Sequence, residues 1–200
     1  MERDFFLYKI RRQIQVIAYH ILSNTMLAKF YSCIILKQNV NLEHSQTFNE
    51  KIQWLKLHES PNNPRVVECA DKYKVREYVQ MQGLGDTLVP RMIICEEYLG
   101  AQITDYKFFY LDGRKMPMIR GDYSPMEIDK LPAFFEDMKN AAAILCKDFK
   151  FVRVDFFIAK NRYSFAELTF TPSAGMMPFN PVEFDLEWGK ILNIRNSKRV

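Results

Sequence analysis

Asp155, Glu167 and Arg153 within residues 151–169 (FVRVDFFIAKNRYSFAELT) have the types and spacing to do chemistry. The stretch predicts two strands joined by a polar turn at Lys160, Asn161 and Arg162. Strands favour β-branched and aromatic residues with a period of two, and turns favour residues that tolerate unusual φ/ψ. Folding about Asn161 sets Asp155 opposite Glu167, Phe157 opposite Phe165 and Arg153 opposite Thr169. Val152, Val154, Phe156 and Ile158 then meet Ala166, Leu168 and Phe170 on an apolar side. Like charges directly opposed cost roughly 0.2–1 kcal/mol. Two compensations are open: a divalent cation held between the carboxylates, or Arg153 neutralising a solvated pair. The register decides, because a one-residue slip sends one carboxylate into the core.

Two further constellations carry weaker signals. Glu96, Glu97, Tyr98 and Leu99 sit where a strand runs into a loop, and backbone groups at such an exit can hydrogen-bond an adenine edge while a carboxylate takes its amino group. The bland alternative is a solvated strand end. Asp105 and Lys107 share one strand face, where an acid suits a ribose hydroxyl and a lysine suits phosphate. Their bland alternative is an exposed ion pair worth under about 1 kcal/mol. No G-x-x-x-x-G-K-[ST] loop, dinucleotide fingerprint or G-x-S-x-G elbow occurs.

The elements around these residues follow from periodicity and punctuation. Residues 5–37 read as helical, with Ile10, Ile14, Ile17, Ala18 and Ile21 at three- and four-residue spacing and a break at Ser23 and Asn24. Thr47 and Glu50 form a capping box for a helix that puts Phe48, Ile52, Leu55 and Glu59 on one side, with Trp54 flanking. Pro61-Asn62-Asn63-Pro64 ends it. One more helix runs from Arg65 or Asp71 to about Gln82, closed by Gly83-Leu84-Gly85. Met92, Ile93, Ile94 and Cys95 predict a short strand. Asp112-Gly113 between apolar runs predicts a hairpin, whose second strand Pro117 cuts short or confines to an edge. Residues 122–132 read as a loop, residues 134–146 as an alanine-rich helix, residues 171–184 as irregular and residues 185–192 as a short helix. Helices first and strands later make the fold α+β rather than alternating βαβ. Three segments are expected: 1–46 as a basic amphipathic helical piece, 47–90 as a helical region, and 91–200 as an α+β domain.

Composition narrows the classes. With 200 residues, 48% hydrophobic and 14% aromatic, the chain has the means to fold without staples. Its four scattered cysteines and three histidines argue against a disulfide framework and a zinc site. Reduced thiols and the lack of a secretory pattern point to a cytoplasmic protein. Residues 1–40 carry six Lys or Arg against two acids, so the whole net charge of +4 lies there. That charge is too small to indicate nucleic acid. The basic helix suits either a membrane surface, peripheral to the inner face, or packing on its own protein.

EEYLG, DYKFFYLDGR, FVRVDFF and FAELTFTPSAG, preceded by TFNEKIQWLKL and ADKYKVREYV, resemble the TupA-like branch of the ATP-grasp proteins over residues 48–190. The resemblance implies ATP and Mg²⁺ as cofactors. Glu96, Glu97, Tyr98 and Leu99 would hold adenine, Asp105 the ribose, Asp155 and Glu167 the Mg²⁺, and Arg153 the reacting phosphate or acyl group, with Lys107 as a second catalytic candidate that neutralises phosphate. It implies Mg²⁺-ATP-dependent carboxylate activation and ligation, or glycosyl transfer, in bacterial cell-surface polysaccharide or teichuronopeptide synthesis. The partners would be ATP, a carboxylate- or sugar-containing acceptor, and a membrane-associated synthesis complex. The chain departs from the pattern in two places. Thr169 stands where many ATP-grasp enzymes place Asn. The glycine-rich segment with an ATP-binding lysine is missing, since Val89-Pro90 runs almost directly into Arg91-Met92, and a shorter piece is missing around residues 121–125. A catalytically inactive remnant acting as a binding or scaffold module is therefore the alternative.

Overall fold

The structure, a computed structural model, describes residues 2–92, 95–96, 104–117 and 133–194. The chain divides into two compact units, Met1–Asn41 and Leu42–Val200. The first holds α1 (Glu2–Ile21) and α2 (Asn24–Leu36). Ser23 is the break expected between them: its side-chain oxygen caps α2 by accepting from the Met26 N–H. Ile14, Ile17 and Ile21 of the apolar stripe on α1 are exposed.

The second unit is built on a four-stranded antiparallel sheet ordered β4-β3-β5-β6. Its strands are β3 (Thr104–Leu111), β4 (Arg114–Lys115), β5 (Phe151–Ala159) and β6 (Arg162–Thr169). Two tight turns of the same kind connect them. Asp112 and Gly113 both have positive φ, as do Lys160 and Asn161, which is the geometry that matches strand twist in two-residue hairpins. β4 is the short edge strand that Pro117 predicts.

Five helices flank this sheet among the described residues: α3 (Phe48–Trp54), α4 (Pro64–Ala70), α5 (Val75–Met81), α6 (Phe135–Leu145) and α7 (Glu183–Ile191). The even-numbered residues of β3 and β5 face one layer, where Phe108, Tyr110, Val152, Val154 and Phe156 pack with Val75, Tyr78 and Val79 of α5 and Met138, Ala141 and Leu145 of α6. The Tyr78 hydroxyl lies 3.1 Å from both the Leu145 carbonyl and Asp148 Oδ2 and ties the two helices together. On the opposite face the helices among the described residues cover one end. There Phe109, Leu111 and Phe151 join Phe48 and Ile52 of α3 and Trp188 of α7. Gly189 lets α7 come this close, because a Cβ there would stand 2.0 Å from the Gln46 carbonyl oxygen. At the other end Phe157 and Ala159 rest against Val89.

Local chemistry explains the agreements and the corrections. The Thr47–Glu50 capping box is present, with Glu50 Oε2 also accepting from the Gln46 N–H. After Trp54 the helix loosens into a π turn, Leu55–Glu59, and a 3-10 turn, Ser60–Asn62. The single helix expected before Gln82 is two helices. Asp71 Oδ1 accepts from the Tyr73 and Lys74 N–H groups, a local bond that competes with the helical ladder and breaks it. α5 then closes as expected: Gly83 has φ 77°, and the Leu84 N–H reaches the Val79 carbonyl. The one strand expected around Met92 is instead a pair of two-residue strands, β1 (Arg91–Met92) and β2 (Cys95–Glu96), joined to each other and separate from the main sheet. Ile93 and Ile94 lie outside the described residues, as does the loop expected at 122–132.

Candidate functional site

The β5–β6 register decides the site. The turn comprises Lys160 and Asn161 alone, so Ala159 pairs with Arg162, Phe157 with Ser164 and Phe156 with Phe165. Continued unchanged, that ladder would set Asp155 opposite Ala166 and turn Glu167 toward the core. An irregularity between Asp155 and Phe156 absorbs Ala166 as an extra residue, and Asp155 pairs with Glu167 and Arg153 with Thr169. This is the arithmetic of a β-bulge. Two sequence expectations are corrected in consequence. Phe165 is buried in the main cluster rather than opposite Phe157, and Ala166 is exposed rather than on the apolar side.

β3 extends the arrangement by one strand. Lys107 pairs with Asp155, Asp105 with Phe157 and Phe109 with Arg153. Lys107, Asp155 and Glu167 thus form a row across three strands, with Phe109, Arg153 and Thr169 beside it. Between the two apolar ends this face floors a cavity of about 420 Å³. Lys72 and Arg76 line the cavity with it, as do Val89, Phe157 and Ala166.

The electrostatics are compact. Arg153 donates from Nε to Asp155 Oδ1 at 2.7 Å, from Nη2 to Asp155 Oδ2 at 2.5 Å, and from Nη2 to Glu167 Oε1 at 3.0 Å. The Thr169 hydroxyl donates to the same Glu167 oxygen at 2.9 Å. Burial pushes the Asp155 carboxyl above the ordinary aspartate range. Its hydrogen bonds to Arg153 and the charges of Arg153 and Lys107 work against that shift, and Glu167 adds to it. Lys107 Nζ lies 3.3 Å from Asp105 Oδ2 in an exposed pair, worth under about 1 kcal/mol.

The structure brings together Asp105, Lys107, Arg153, Asp155 and Glu167 on one cavity. Glu96 lies in β2, its backbone paired with Arg91 outside the main sheet, and Glu97, Tyr98 and Leu99 lie outside the described residues. Sequence reasoning missed Lys72 and Arg76. Lys72 lies in the turn after Asp71 and Arg76 in the first turn of α5, so the two share no helix face that periodicity could reveal.

Two opposed carboxylates fit Mg²⁺, which is usually held by one or two carboxylates together with substrate phosphates and waters. Among the described residues, the Arg153 and Thr169 hydrogen bonds to Glu167 both fall on Oε1. The cavity sets four cationic side chains, Lys72, Arg76, Lys107 and Arg153, against three acids, Asp105, Asp155 and Glu167, a balance suited to a polyanion. Among the described residues no cluster of three or more His, Cys, Asp or Glu is arranged for a metal, so any cation here would draw its remaining ligands from water or substrate.

An antiparallel sheet backed by helices, with a polar cavity over its last hairpin, is an α+β arrangement consistent with a truncated ATP-grasp-like domain. More particularly, the TupA-like ATPgrasp family model matches residues 101–193. The matched segment carries β3–β6, α6, α7 and the acid pair; it is narrower than the sequence resemblance and leaves Lys72, Arg76 and the EEYLG motif outside. No curated protein and no solved structure matches the chain.

Proposed function

We propose that the protein binds Mg²⁺-ATP on the face formed by β3, β5 and β6, and uses it to activate a carboxylate in bacterial cell-surface polysaccharide or teichuronopeptide synthesis. The observation that carries this reading is the row Lys107–Asp155–Glu167 with Arg153 beside it. Asp155 and Glu167 would hold the cation, which neutralises charge between the phosphates. Lys107 lies in register with Asp155, within the same cavity, and would bind a phosphate oxygen. Arg153 offers a planar fork of N–H donors that fits either a phosphate or a carboxylate. Asp105 would accept a ribose hydroxyl. In the reaction a carboxylate oxygen of the acceptor attacks the γ-phosphorus and ADP leaves. A nucleophile then attacks the acyl carbon and releases phosphate. Calorimetry with Mg²⁺ and a non-hydrolysable ATP analogue tests binding: a heat that needs Mg²⁺ and disappears in Asp155→Asn supports the reading, and the absence of any heat from the folded chain refutes it.

A second reading is a binding or scaffold module without turnover. The observation that favours it is the shortness of the β1–β2 hairpin, where the resemblance leads one to expect a glycine-rich segment closing over the triphosphate. Water would then reach the phosphates, and the γ-phosphate would be less strictly positioned. ATP consumption by the 200-residue chain in the presence of candidate carboxylate acceptors separates the readings. Sustained turnover excludes the module, and analogue binding without turnover supports it.

Association with the inner face of a membrane through the basic helix α1 belongs to the same proposal. No helix among the described residues is long and apolar enough to cross a membrane, and the exposed Ile14, Ile17 and Ile21 are a surface suited to lying on one. Flotation with anionic vesicles, with and without residues 1–40, tests it. Flotation that survives the deletion counts against α1.

A further inference from the structure

Resting on the Mg²⁺-ATP reading, we infer that Arg153 and the divalent cation compete for one position, so that cation binding and release of the guanidinium are a single exchange. One nitrogen, Nη2, touches both carboxylates, at 2.5 Å from Asp155 Oδ2 and 3.0 Å from Glu167 Oε1. The other Asp155 oxygen is taken by Nε at 2.7 Å. A Mg²⁺ ion bridging the pair needs an oxygen of each carboxylate at about 2.0–2.1 Å. It therefore needs the space that Nη2 fills, and Arg153 must leave for the cation to enter.

The surroundings make the exchange asymmetric. The Asp155 side chain is 7% exposed and that of Arg153 15%, whereas that of Glu167 is 42% exposed. Asp155 is the fixed half of the pair, and Glu167 is the half that opens to the cavity. The Thr169 hydroxyl holds Glu167 Oε1 independently of Arg153, so the two acids keep their facing when the guanidinium departs. The charge count favours its departure as well. Two carboxylates balance one doubly charged cation, and a guanidinium left among them would be in excess. Once displaced, Arg153 faces the cavity that Lys72, Arg76 and Lys107 also line. There its fork is available to an anionic group of a second substrate. The cation thus binds first and the anionic acceptor second, and Arg153 is the residue that enforces the order.

The test is Mn²⁺ titration, without nucleotide, of the full chain and of Arg153→Met, Arg153→Lys and Asp155→Asn, with circular dichroism to confirm folding. Removing the competitor in Arg153→Met is expected to tighten Mn²⁺ binding by about tenfold. Arg153→Lys keeps the charge but loses the fork, and should tighten it less, by about threefold. Asp155→Asn should bind more weakly than the unmodified chain. If the unmodified chain binds Mn²⁺ and both Arg153 variants bind no more tightly, the exchange is wrong while the metal site stands. If neither the unmodified chain nor any folded variant binds Mn²⁺, the exchange and the metal reading fall together. Should Arg153→Met fail to fold, the lysine variant alone decides.

Discussion

Asp155 and Asp185 are both 5% exposed, and burial pushes both carboxyls above the ordinary aspartate range. Their partners differ. Asp185 accepts from the Asn49 backbone N–H at 2.8 Å and the Asn49 amide at 3.0 Å, and the same amide bonds Met177 on both sides. These neutral, fixed donors lock the first turn of α3 onto α7. Asp155 is instead held by a guanidinium shared with a half-exposed glutamate at the edge of a cavity. A shifted carboxyl is therefore no pointer to function by itself. What separates a structural acid from a candidate binding acid here is whether its partner can be exchanged.

The largest effects should come from splitting the two acids by mutation. Asp185→Ala strands two buried Asn49 donors and should cost about 3 kcal/mol of stability, read from urea unfolding, while the folded protein still binds Mg²⁺-ATP. Asp155→Asn should do the reverse, abolishing binding while stability holds or rises at pH 7, because it removes a carboxylate whose charged form burial disfavours and Arg153 keeps Glu167 as a partner. If Asp155→Asn unfolds the protein and Asp185→Ala abolishes binding, the assignment is inverted. Next in size, Gly189→Ala drives a methyl group into the Gln46 carbonyl and should cost about 2–3 kcal/mol. It should do so without touching the proposed nucleotide site, as expected if the α3–α7 contact is architecture.

A pH series gives a smaller separation. Both folded carboxyls titrate above their unfolded counterparts. Between the two values the folded state holds more protons, so stability falls as pH rises from about 4 through the folded values. Asp155→Asn removes one of these losses. Its urea midpoint should gain on that of the unmodified chain as pH increases from 4 to 7, and a constant difference would count against a raised Asp155. The smallest effect concerns the layer under the sheet. Cys69 and Cys146 are buried there with thiols pushed up to about 11 by burial, whereas Cys33 is exposed. A thiol reagent at pH 8 should label Cys33 and leave those two untouched until the protein unfolds. Early labelling of Cys69 or Cys146 would mean that the layer supporting Asp155 is not rigid.

Much of this was legible in the sequence because local rules carried it. Thr47 with Glu50, Ser23, Asp112-Gly113 and the helix-ending Gly83 each do in the structure what their chemistry dictates. The facing of Asp155 and Glu167 was also legible, though by a route that cancelled an error. The sequence predicts a three-residue turn, whereas the turn has two residues and Ala166 is bulged, and the two differences offset each other at the acid pair. Beyond the bulge they do not, which is why Phe157 and Phe165 were mispaired. Lys72 and Arg76 escaped because reaching the cavity depends on where α5 and the turn leading into it meet the sheet, and no local pattern encodes that. The Asn49–Asp185 bond joins residues 136 positions apart and was illegible for the same reason.

In the proposed site, Asp155 and Glu167 share a divalent cation under a nucleotide. Crystals grown with Mn²⁺ and a non-hydrolysable ATP analogue test it most directly through anomalous scattering. The account predicts a manganese peak between the two carboxylates, with Arg153 turned away from both. A peak elsewhere, or an analogue bound while Arg153 still bridges the pair, would contradict it.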